Sequence, residues 1–223
     1  MREYYKRNLP HVVPVAGQFF VTANLVDAIP KIVLKKLVEE NEKLLLAARL
    51  SKGAKKEQLI LDIHKRYFAK VDTLIDNSAT SPKWLAQNEI ALLLQQKLHE
   101  FDEFYYELQA YCIMPNHVHI LFDTSIQEKT IALNTVLDDT NYSRLDTIMK
   151  RIKGGMATEA NKVLHRHGQF WMRESYDHLV RNPQEMKNII KYILNNPVKA
   201  GLVKEWFEWN YTFIKEDLKQ FLE

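Results

Sequence analysis

The pattern of apolar and polar residues along the chain predicts a first strand followed by a helical segment. Gly17 to Val26 mixes aromatic and β-branched residues, which is typical of a strand. Residues 31 to 70 carry apolar side chains at helical spacing, interrupted at Ser51-Lys52-Gly53, and this predicts two amphipathic helices. Asp76 to Trp84 has the Asn, Ser, Thr and Pro content of a loop, and Asn88 to Phe101 returns to helical spacing.

A strand-rich zone comes next, and then a basic helix. Two β-rich runs are joined by Pro115-Asn116, which predicts an antiparallel hairpin. After a polar loop from Asp123 to Tyr142, the helical pattern carries Gly154-Gly155, where we expect the helix to break and resume. Gly168 to Val180 predicts a turn that leads into another strand.

The last predicted helix has clear boundary signals. Asn182 is a good N-cap, Pro183 suits the first helical position, and Glu185 completes a capping box. Because Pro197 disfavours continuation, we expect this helix to run from about Pro183 to Asn195. The order of strand, helices, hairpin, helix, strand and helix predicts an α+β fold, with helices covering an antiparallel sheet.

Composition limits the class of protein. The chain has 223 residues and 46% hydrophobic content, which is enough to fill a core. The apolar runs are too short to span a bilayer, and the first residues lack the apolar stretch of a secretory signal. We therefore expect a cytoplasmic protein with no membrane segment. The single cysteine, Cys112, is expected to be a buried structural thiol.

Two histidines, His117 and His119, lie one residue apart in the run YCIMPNHVHILFD. In a strand alternate side chains share a face, so both imidazoles would point the same way. Two interpretations are open at this point. The pair is either satisfied by ordinary hydrogen bonds or forms part of a metal site, which would need a further ligand.

Tyr192 is the candidate nucleophile on the last predicted helix. It lies four residues before Asn196, so the two side chains are neighbours on the helix surface. Tyr192 either rests at the edge of the core with its hydroxyl in water or attacks a substrate. A phenol ionises at about pH 10, so it is a weak nucleophile at neutral pH. Attack on phosphorus would therefore need a cation at the phosphate. Both residues flank an apolar stripe made of Met186, Ile189, Ile190, Ile193 and Leu194.

Basic residues are concentrated between Arg144 and Arg173. This segment holds seven Lys or Arg and two acidic residues, a local charge of +5 in a chain whose net charge is +3. Such a segment is either a solvated helix face or a surface that binds a polyanion.

Three motifs occur in a specific order: MPNHVHIL, FWMRESYDHLVR and YILNNPVKAGLV. With them the chain resembles the REP-associated tyrosine transposases, a branch of the single-strand tyrosine transposases that carry a His-hydrophobic-His motif. The resemblance extends over roughly Phe19 to Trp209 and is most specific in YxxxN followed by PVKAGLV.

This resemblance implies roles for individual residues. His117 and His119 would bind Mg²⁺ or Mn²⁺, Asn196 would be the third ligand, and Tyr192 would be the nucleophile. The implied fold is a single ferredoxin-like α+β domain, with residues 31 to 83 as a helical insertion after the first strand.

The resemblance also implies a substrate, single-stranded DNA that often carries a hairpin. Tyr192 would form a 5′-phosphotyrosyl adduct and release a 3′-hydroxyl, with the protein acting as one chain or as a homodimer. Trp171 or Phe170 would stack on a base of the DNA. The residues expected to contact DNA are Lys150, Arg151, Lys153, Trp171 and Arg173.

Alternatives remain open from the sequence. Tyr176 is a rival nucleophile, and His165 and His167 repeat the His-x-His spacing in a basic loop, where DNA contact or solvent exposure is expected. A domesticated protein that binds structured DNA without cutting it would need no nucleophile. A metal-dependent hydrolase would activate water and would need a further ligand such as Asp123 or Asp177.

Overall fold

The structure, a computed structural model, describes residues 16–52, 54–130 and 141–222, together with the backbone of residues 4–6 and 10–12. The chain forms two compact units, one of Met1–Leu25 and Lys83–Glu223 and the other of Val26–Pro82. The expected polar loop after Asp123 falls partly outside the described residues. Among the helices that the structure describes, none has the length and apolar character needed to cross a membrane.

The helices and strands have the following bounds. The strands are β1 (Tyr4–Lys6), β2 (Pro10–Val12), β3 (Gln18–Asn24), β4 (Glu107–Ile113), β5 (His117–Asp123), β6 (Tyr176–Leu179) and β7 (Thr212–Ile214). The helices are α1 (Lys31–Arg49), α2 (Ala54–Asp76), α3 (Asn88–Glu100), α4 (Ile126–Thr130), α5 (Leu145–Val163) and α6 (Pro183–Lys199). Short 3₁₀ turns occupy Trp84–Ala86, Trp206–Glu208 and Glu216–Leu222.

The first unit is built on a five-stranded sheet with the order β6-β3-β5-β4-β7. Every neighbouring pair in this sheet is antiparallel. Four of these strands follow the path β3, α3, β4, β5, α5, β6. The last of them, β6, pairs with the first, β3, and β3 also pairs with the third, β5, which is the ferredoxin-like arrangement. The predicted α+β fold with an antiparallel sheet is confirmed, and β7 extends the sheet at β4.

The two faces of the sheet have different chemistry. Val118, Ile120 and Phe122 of β5 are at most 1% exposed and pack in the apolar core with α3 and α5. Because side chains alternate along a strand, His117 and His119 point to the opposite face. Helix α6 covers that face, so the sheet separates the main apolar core from the histidine pair.

Helix α5 is continuous from Leu145 to Val163, so the expected break at Gly154-Gly155 was wrong. Glycine in a helix interior costs only about 1 kcal/mol relative to alanine, and tertiary packing offsets that cost. The apolar face of α5 packs in the main core, and a Cβ on Gly155 would lie 3.4 Å from Cε of Lys97 on α3. That distance is an ordinary van der Waals contact with a flexible side chain, so the helix position itself does not require glycine.

The start of α6 is as predicted. The side chain of Asn182 accepts a hydrogen bond of 2.8 Å from the backbone N–H of Glu185, and Pro183 is the first helical residue. The Glu185 carboxylate in turn accepts from the backbone N–H of Arg181 at 3.0 Å. The first contact satisfies a backbone donor that the first turn of a helix leaves without a partner, and the second ties the residue before the N-cap to that turn.

The predicted end of α6 was wrong, because the helix continues through Pro197 to Lys199. Pro197 lacks one backbone donor but is buried, so the packing of the last turn outweighs the local preference against helix. Just after the helix, Gly201 has a φ of 68° and donates to the carbonyl of Val198, while Leu202 donates to the carbonyl of Pro197. This continuation keeps residue 196 in helical geometry.

The second unit contains α1 and α2, packed as an antiparallel pair. One apolar cluster lies where α1 begins and α2 ends, and another lies towards the end of α1, which is the pattern of antiparallel packing. Lys70 and Glu40 form an ion pair of 3.6 Å between the helices. The second helix runs to Asp76, beyond the predicted limit at residue 70. The buried members of the two clusters are Ala28, Ile29 and Ile75, and Leu45, Ala48 and Ile63.

Candidate active site

The two histidines of β5 converge on one point. The Nε2 atoms of His117 and His119 are 2.9 Å apart, and the side chains are 1% and 0% exposed. Each ring uses its other nitrogen for a polar partner at 2.8 Å: Nδ1 of His117 faces Oδ1 of Asn116, and Nδ1 of His119 faces Oγ1 of Thr22. A ligand histidine is normally fixed in this way, by a hydrogen bond to the nitrogen that does not bind the metal.

The separation of the two Nε2 atoms suits a shared cation. Two ligands at about 2.1 Å from an ion and at right angles to each other lie about 3.0 Å apart. The distance of 2.9 Å between the Nε2 atoms is that of a hydrogen bond between the two rings, and it also agrees with this geometry. His117 and His119 therefore form a buried pair that could hold a metal ion.

The imidazole of His119 is kept neutral. Burial lowers its pKa well below the usual value, and the charges of His117 and Lys199 lower the pKa further, whereas an interaction with the side chain of Asn196 raises it. A neutral imidazole keeps the lone pair that a metal ligand needs. The influence of Lys199 also makes the surroundings of His119 favourable for an anionic group.

The lowered pKa of His119 predicts a pH-dependent stability. Without divalent cations, the unfolded chain binds a proton at His119 near about pH 6.5 and the folded chain does not, so stability is lost as the pH falls below that value. The loss is up to about 1.4 kcal/mol per pH unit until the folded-state pKa is reached. Denaturant unfolding of the wild type and His119→Asn at several pH values, with a chelator present, measures the difference. Equal pH dependence in both proteins would contradict the prediction.

Tyr192 approaches the histidine pair from α6. Its ring centroid lies 5.1 Å from that of His119 with the planes at 71°, and its hydroxyl oxygen is buried. Phe20 of β3 contacts both rings: it stacks on His119 at 5.7 Å and meets Tyr192 edge to face at 5.8 Å. Because Phe20 is 3% exposed, it is a rigid support for both side chains.

Asn196 lies one turn after Tyr192 and points to the same site. The residue is 1% exposed, and its Nδ2 donates a 2.8 Å hydrogen bond to the backbone carbonyl of Tyr192. Its Oδ1 is buried and has no hydrogen-bond partner among the residues that the structure describes. The side chain is close enough to His119 to influence its pKa. A buried amide oxygen beside two imidazole nitrogens fits a divalent cation, since such oxygens are common ligands of hard cations.

Tyr176 shares the face of the sheet with the histidines but stands one strand further away. It is paired in register with Thr22, and Thr22 is paired with His119, so β3 lies between the phenol and the histidine. Burial raises the pKa of Tyr176, and the negative charges of Asp177 and Glu185 raise it further. The placement favours Tyr192 over Tyr176 as the residue nearest the histidine pair.

Asp123 and Asp177, the two carboxylates that the sequence suggested for a hydrolase, are not placed beside the histidines. Asp177 is paired with Val21 and points to the opposite face of the sheet. Asp123 lies at the far end of β5, where its Oδ1 accepts hydrogen bonds from N and Oγ of Ser125 at 2.8 and 2.6 Å. Neither carboxylate can therefore share a metal ion with the pair.

A groove of about 730 Å³ runs between α5 and residues 168–177. Val21 and Asp177 line it, so it opens on the face of the sheet opposite to the histidine pair. Its charges are mixed rather than uniformly basic. Three basic residues line it, Lys150, Lys153 and Arg173, together with three acidic ones, Asp146, Glu174 and Asp177.

The basic residues expected to contact DNA differ in their surroundings. Lys150 and Arg173 are exposed at the groove. Arg151 is also exposed, and its guanidinium carbon lies 4.7 Å from the centroid of the Tyr105 ring. Lys153 is occupied within the fold, because its Nζ donates to the carbonyl of residue 172 at 2.8 Å and to the hydroxyl of residue 175 at 3.0 Å. Lys150 and Arg173 are therefore the better placed for a phosphate.

Trp171 and Phe170, the candidates for base stacking, are only 5% and 2% exposed and belong to the main apolar core. Neither offers an open ring face to a base. His165 and His167 are exposed, while Arg166 between them lies with its guanidinium carbon 3.9 Å from the centroid of the Trp84 ring.

The residues that orient the histidines were not identified from the sequence. Thr22 and Asn116 hold the two Nδ1 atoms, and Phe20 supports both His119 and Tyr192. One signal was present: Thr22 is a polar residue in the apolar run of β3, on the same alternation as Phe20. Using that signal requires the register between β3 and β5, which the sequence does not give.

The chain is similar to curated proteins that carry the name of one family. It is 28% identical over 114 residues to a Haemophilus influenzae protein provisionally named REP-associated tyrosine transposase, a match covering 51% of this chain and 62% of that protein. It is 24% identical over 113 residues to the REP-associated tyrosine transposase of Escherichia coli, covering 51% of this chain and 57% of that protein. The resemblance predicted from the motifs is confirmed, and the match spans less than two thirds of either relative.

The solved structures include one described as the REP-associated tyrosine transposase bound to a REP hairpin. It matches with a TM-score of 0.47 and 14% identity, over 95% of this chain and 82% of that chain. No protein-family model matches the chain.

Proposed function

We propose that this chain, a relative of the REP-associated tyrosine transposases, is a metal-dependent endonuclease and strand transferase for single-stranded DNA. One observation carries the proposal: the Nε2 atoms of His117 and His119 converge at 2.9 Å, and the ring of Tyr192 lies 5.1 Å from that of His119. Two imidazoles that could hold a cation and a phenol thus lie on one face of the sheet. That combination is what attack on a phosphodiester by a tyrosine requires.

The proposed cation ligands are Nε2 of His117, Nε2 of His119 and Oδ1 of Asn196. When bound, Mg²⁺ or Mn²⁺ would polarise the scissile phosphate and offset the negative charge that develops on it. Asn116 and Thr22 hold the imidazoles so that both lone pairs face the same point. The protein's own contribution is therefore preorganisation of the ligands before DNA binds.

Tyr192 supplies the nucleophilic oxygen. That oxygen forms a bond to phosphorus, the bond from phosphorus to the 3′-oxygen breaks, and the phenolic proton ends on the released 3′-hydroxyl. The DNA is left joined to the protein through a 5′-phosphotyrosyl linkage. A 3′-hydroxyl that attacks this linkage restores a phosphodiester and the phenol, so strand transfer needs no external energy source.

The proposed substrate is single-stranded DNA next to a hairpin, and the basic residues beside α5 would contact its backbone. We expect Lys150→Ala and Arg173→Ala each to weaken binding because each removes one exposed positive charge. Each lost phosphate contact should reduce the slope of log affinity against log salt by about 0.7. Fluorescence anisotropy at several salt concentrations measures this slope, with Lys204→Ala as an exposed lysine outside the groove lining.

The salt dependence shows whether the basic residues of the groove contact the DNA backbone. If both variants bind DNA with the wild-type slope, the groove residues do not contact the DNA backbone.

Lys153→Ala is expected to act differently, by loosening residues 172–175, and should lower thermal stability as well as the affinity for DNA.

The experiment that tests the proposed function is the intact mass of the protein after incubation with a divalent cation and DNA. The full chain is mixed with Mg²⁺ or Mn²⁺ and single-stranded oligonucleotides that each contain one hairpin. A mass increase equal to a DNA fragment supports the transferase. Tight binding without an adduct would favour the non-cleaving binder, and cleavage without an adduct would favour water as the nucleophile.

A further inference from the structure

Asn24, the last residue of β3, lies beside the histidine pair in the sheet. It is paired in register with His117, and partners in antiparallel strands point their side chains to the same face. Thr22, two residues earlier, is on that face too and bonds Nδ1 of His119. Strand β3 thus places one polar side chain opposite each histidine.

The side chain of Asn24 is buried and fixed in position. The residue is 5% exposed, and its Oδ1 has no hydrogen-bond partner in the part of the chain that the structure describes. Its backbone carbonyl accepts from the N–H of Met172 at 2.7 Å, and the N–H of Leu25 donates to the carbonyl of Asn116 at 2.9 Å. Buried amide oxygens normally accept a hydrogen bond or bind an ion. A buried amide oxygen without such a partner points to a ligand for it.

Burial of an amide oxygen is not sufficient by itself to indicate a cation. Oε1 of Gln109 is also buried without a hydrogen-bond partner among the described residues. Gln109 forms a bulge in β4, between the pairs Leu108–Phe122 and Ala110–Leu121, at the end of the hairpin away from the histidines. Asn24 differs because it is paired in register with His117 and lies on the same face of the sheet as the histidine pair.

We propose that Oδ1 of Asn24 is a fourth protein ligand of the divalent cation, together with His117, His119 and Asn196. This inference rests on the proposed function, because it assumes that the histidine pair holds a cation. Two imidazole nitrogens and two amide oxygens form a ligand set that suits Mn²⁺. A cation held by these four groups would supply a positive charge that polarises an oxygen of the phosphodiester.

The test is the affinity of the full chain for Mn²⁺ without DNA, measured from the free Mn²⁺ signal in electron paramagnetic resonance. Asn24→Leu keeps the size of the side chain and removes the oxygen, and we expect the Kd for Mn²⁺ to rise by about tenfold or more. Asn24→Asp replaces the amide by a carboxylate of the same shape and should bind Mn²⁺ at least as tightly as the wild type. Gln109→Leu removes the other buried amide oxygen and should leave the Kd unchanged.

The outcomes distinguish this inference from the proposed function. If His119→Leu loses Mn²⁺ binding while Asn24→Leu and Asn24→Asp both keep the wild-type Kd, Asn24 is not a ligand and the proposed histidine centre stands. If the wild type itself does not bind Mn²⁺, the metal centre and the role of Asn24 are both overturned. Binding of hairpin DNA in the presence of a chelator should be the same for Asn24→Leu and the wild type. Loss of DNA binding by Asn24→Leu with an unchanged Kd for Mn²⁺ would show that Asn24 contacts DNA and not the cation.

Discussion

Tyr192→Phe is expected to abolish the covalent attachment of DNA, lowering adduct formation by at least about 10⁴-fold. The substitution removes one oxygen and keeps the ring that packs against Phe20 and His119. The fold, the affinity for Mn²⁺ and the affinity for hairpin DNA should therefore remain those of the wild type. Intact mass after incubation with DNA, followed by peptide mapping of the adduct, measures the effect and locates the linkage.

Tyr176→Phe is the matched control for this prediction. Tyr176 also contacts Phe20 and lies on the same face of the sheet, but β3 separates it from His119. We expect this variant to form the adduct at a rate close to that of the wild type. An adduct that persists in Tyr192→Phe and maps to Tyr176 would reverse the assignment of the nucleophile.

Loss of either histidine is expected to remove the metal centre. Truncation of His119 leaves a single imidazole at the point of convergence, so the affinity for Mn²⁺ should fall by at least about 100-fold and no adduct should form. Because His119 is fully buried, His119→Leu is preferred to His119→Ala, since leucine fills more of the space and offers no ligand atom. Calorimetric titration with Mn²⁺ and the intact-mass assay give the two readouts.

The control for the histidine variants is His99→Gln, on the opposite side of the sheet. His99 is exposed on α3 and contacts the rings of Tyr111 and Phe213, outside the proposed ligand set. The His99→Gln variant should retain both Mn²⁺ binding and adduct formation. Adduct formation by His119→Leu in the presence of a chelator would show that the reaction needs no cation at this site.

The sequence by itself determined the elements and the local geometry of the site. Residue spacing places His117 and His119 on one face of a strand, and it places Tyr192 beside Asn196 on a helix. The motifs also identified the family that the chain resembles, and the alternation of strands and helices predicted the α+β fold. These conclusions depend on neighbours within about one turn or one strand, where side-chain direction follows from the helical and strand repeats.

Only the tertiary structure decided how these local features meet. The hydrogen bond that orients His119 comes from Thr22, which is 97 residues away in the chain, and the place of Asn24 depends on the same strand register. Burial of Trp171 and the short edge strand β7 likewise follow from packing and pairing between distant segments. Helix α6 continues through Pro197 because burial of its last turn outweighs a local preference. Contacts of this kind are set by the whole fold, so spacing along the chain cannot specify them.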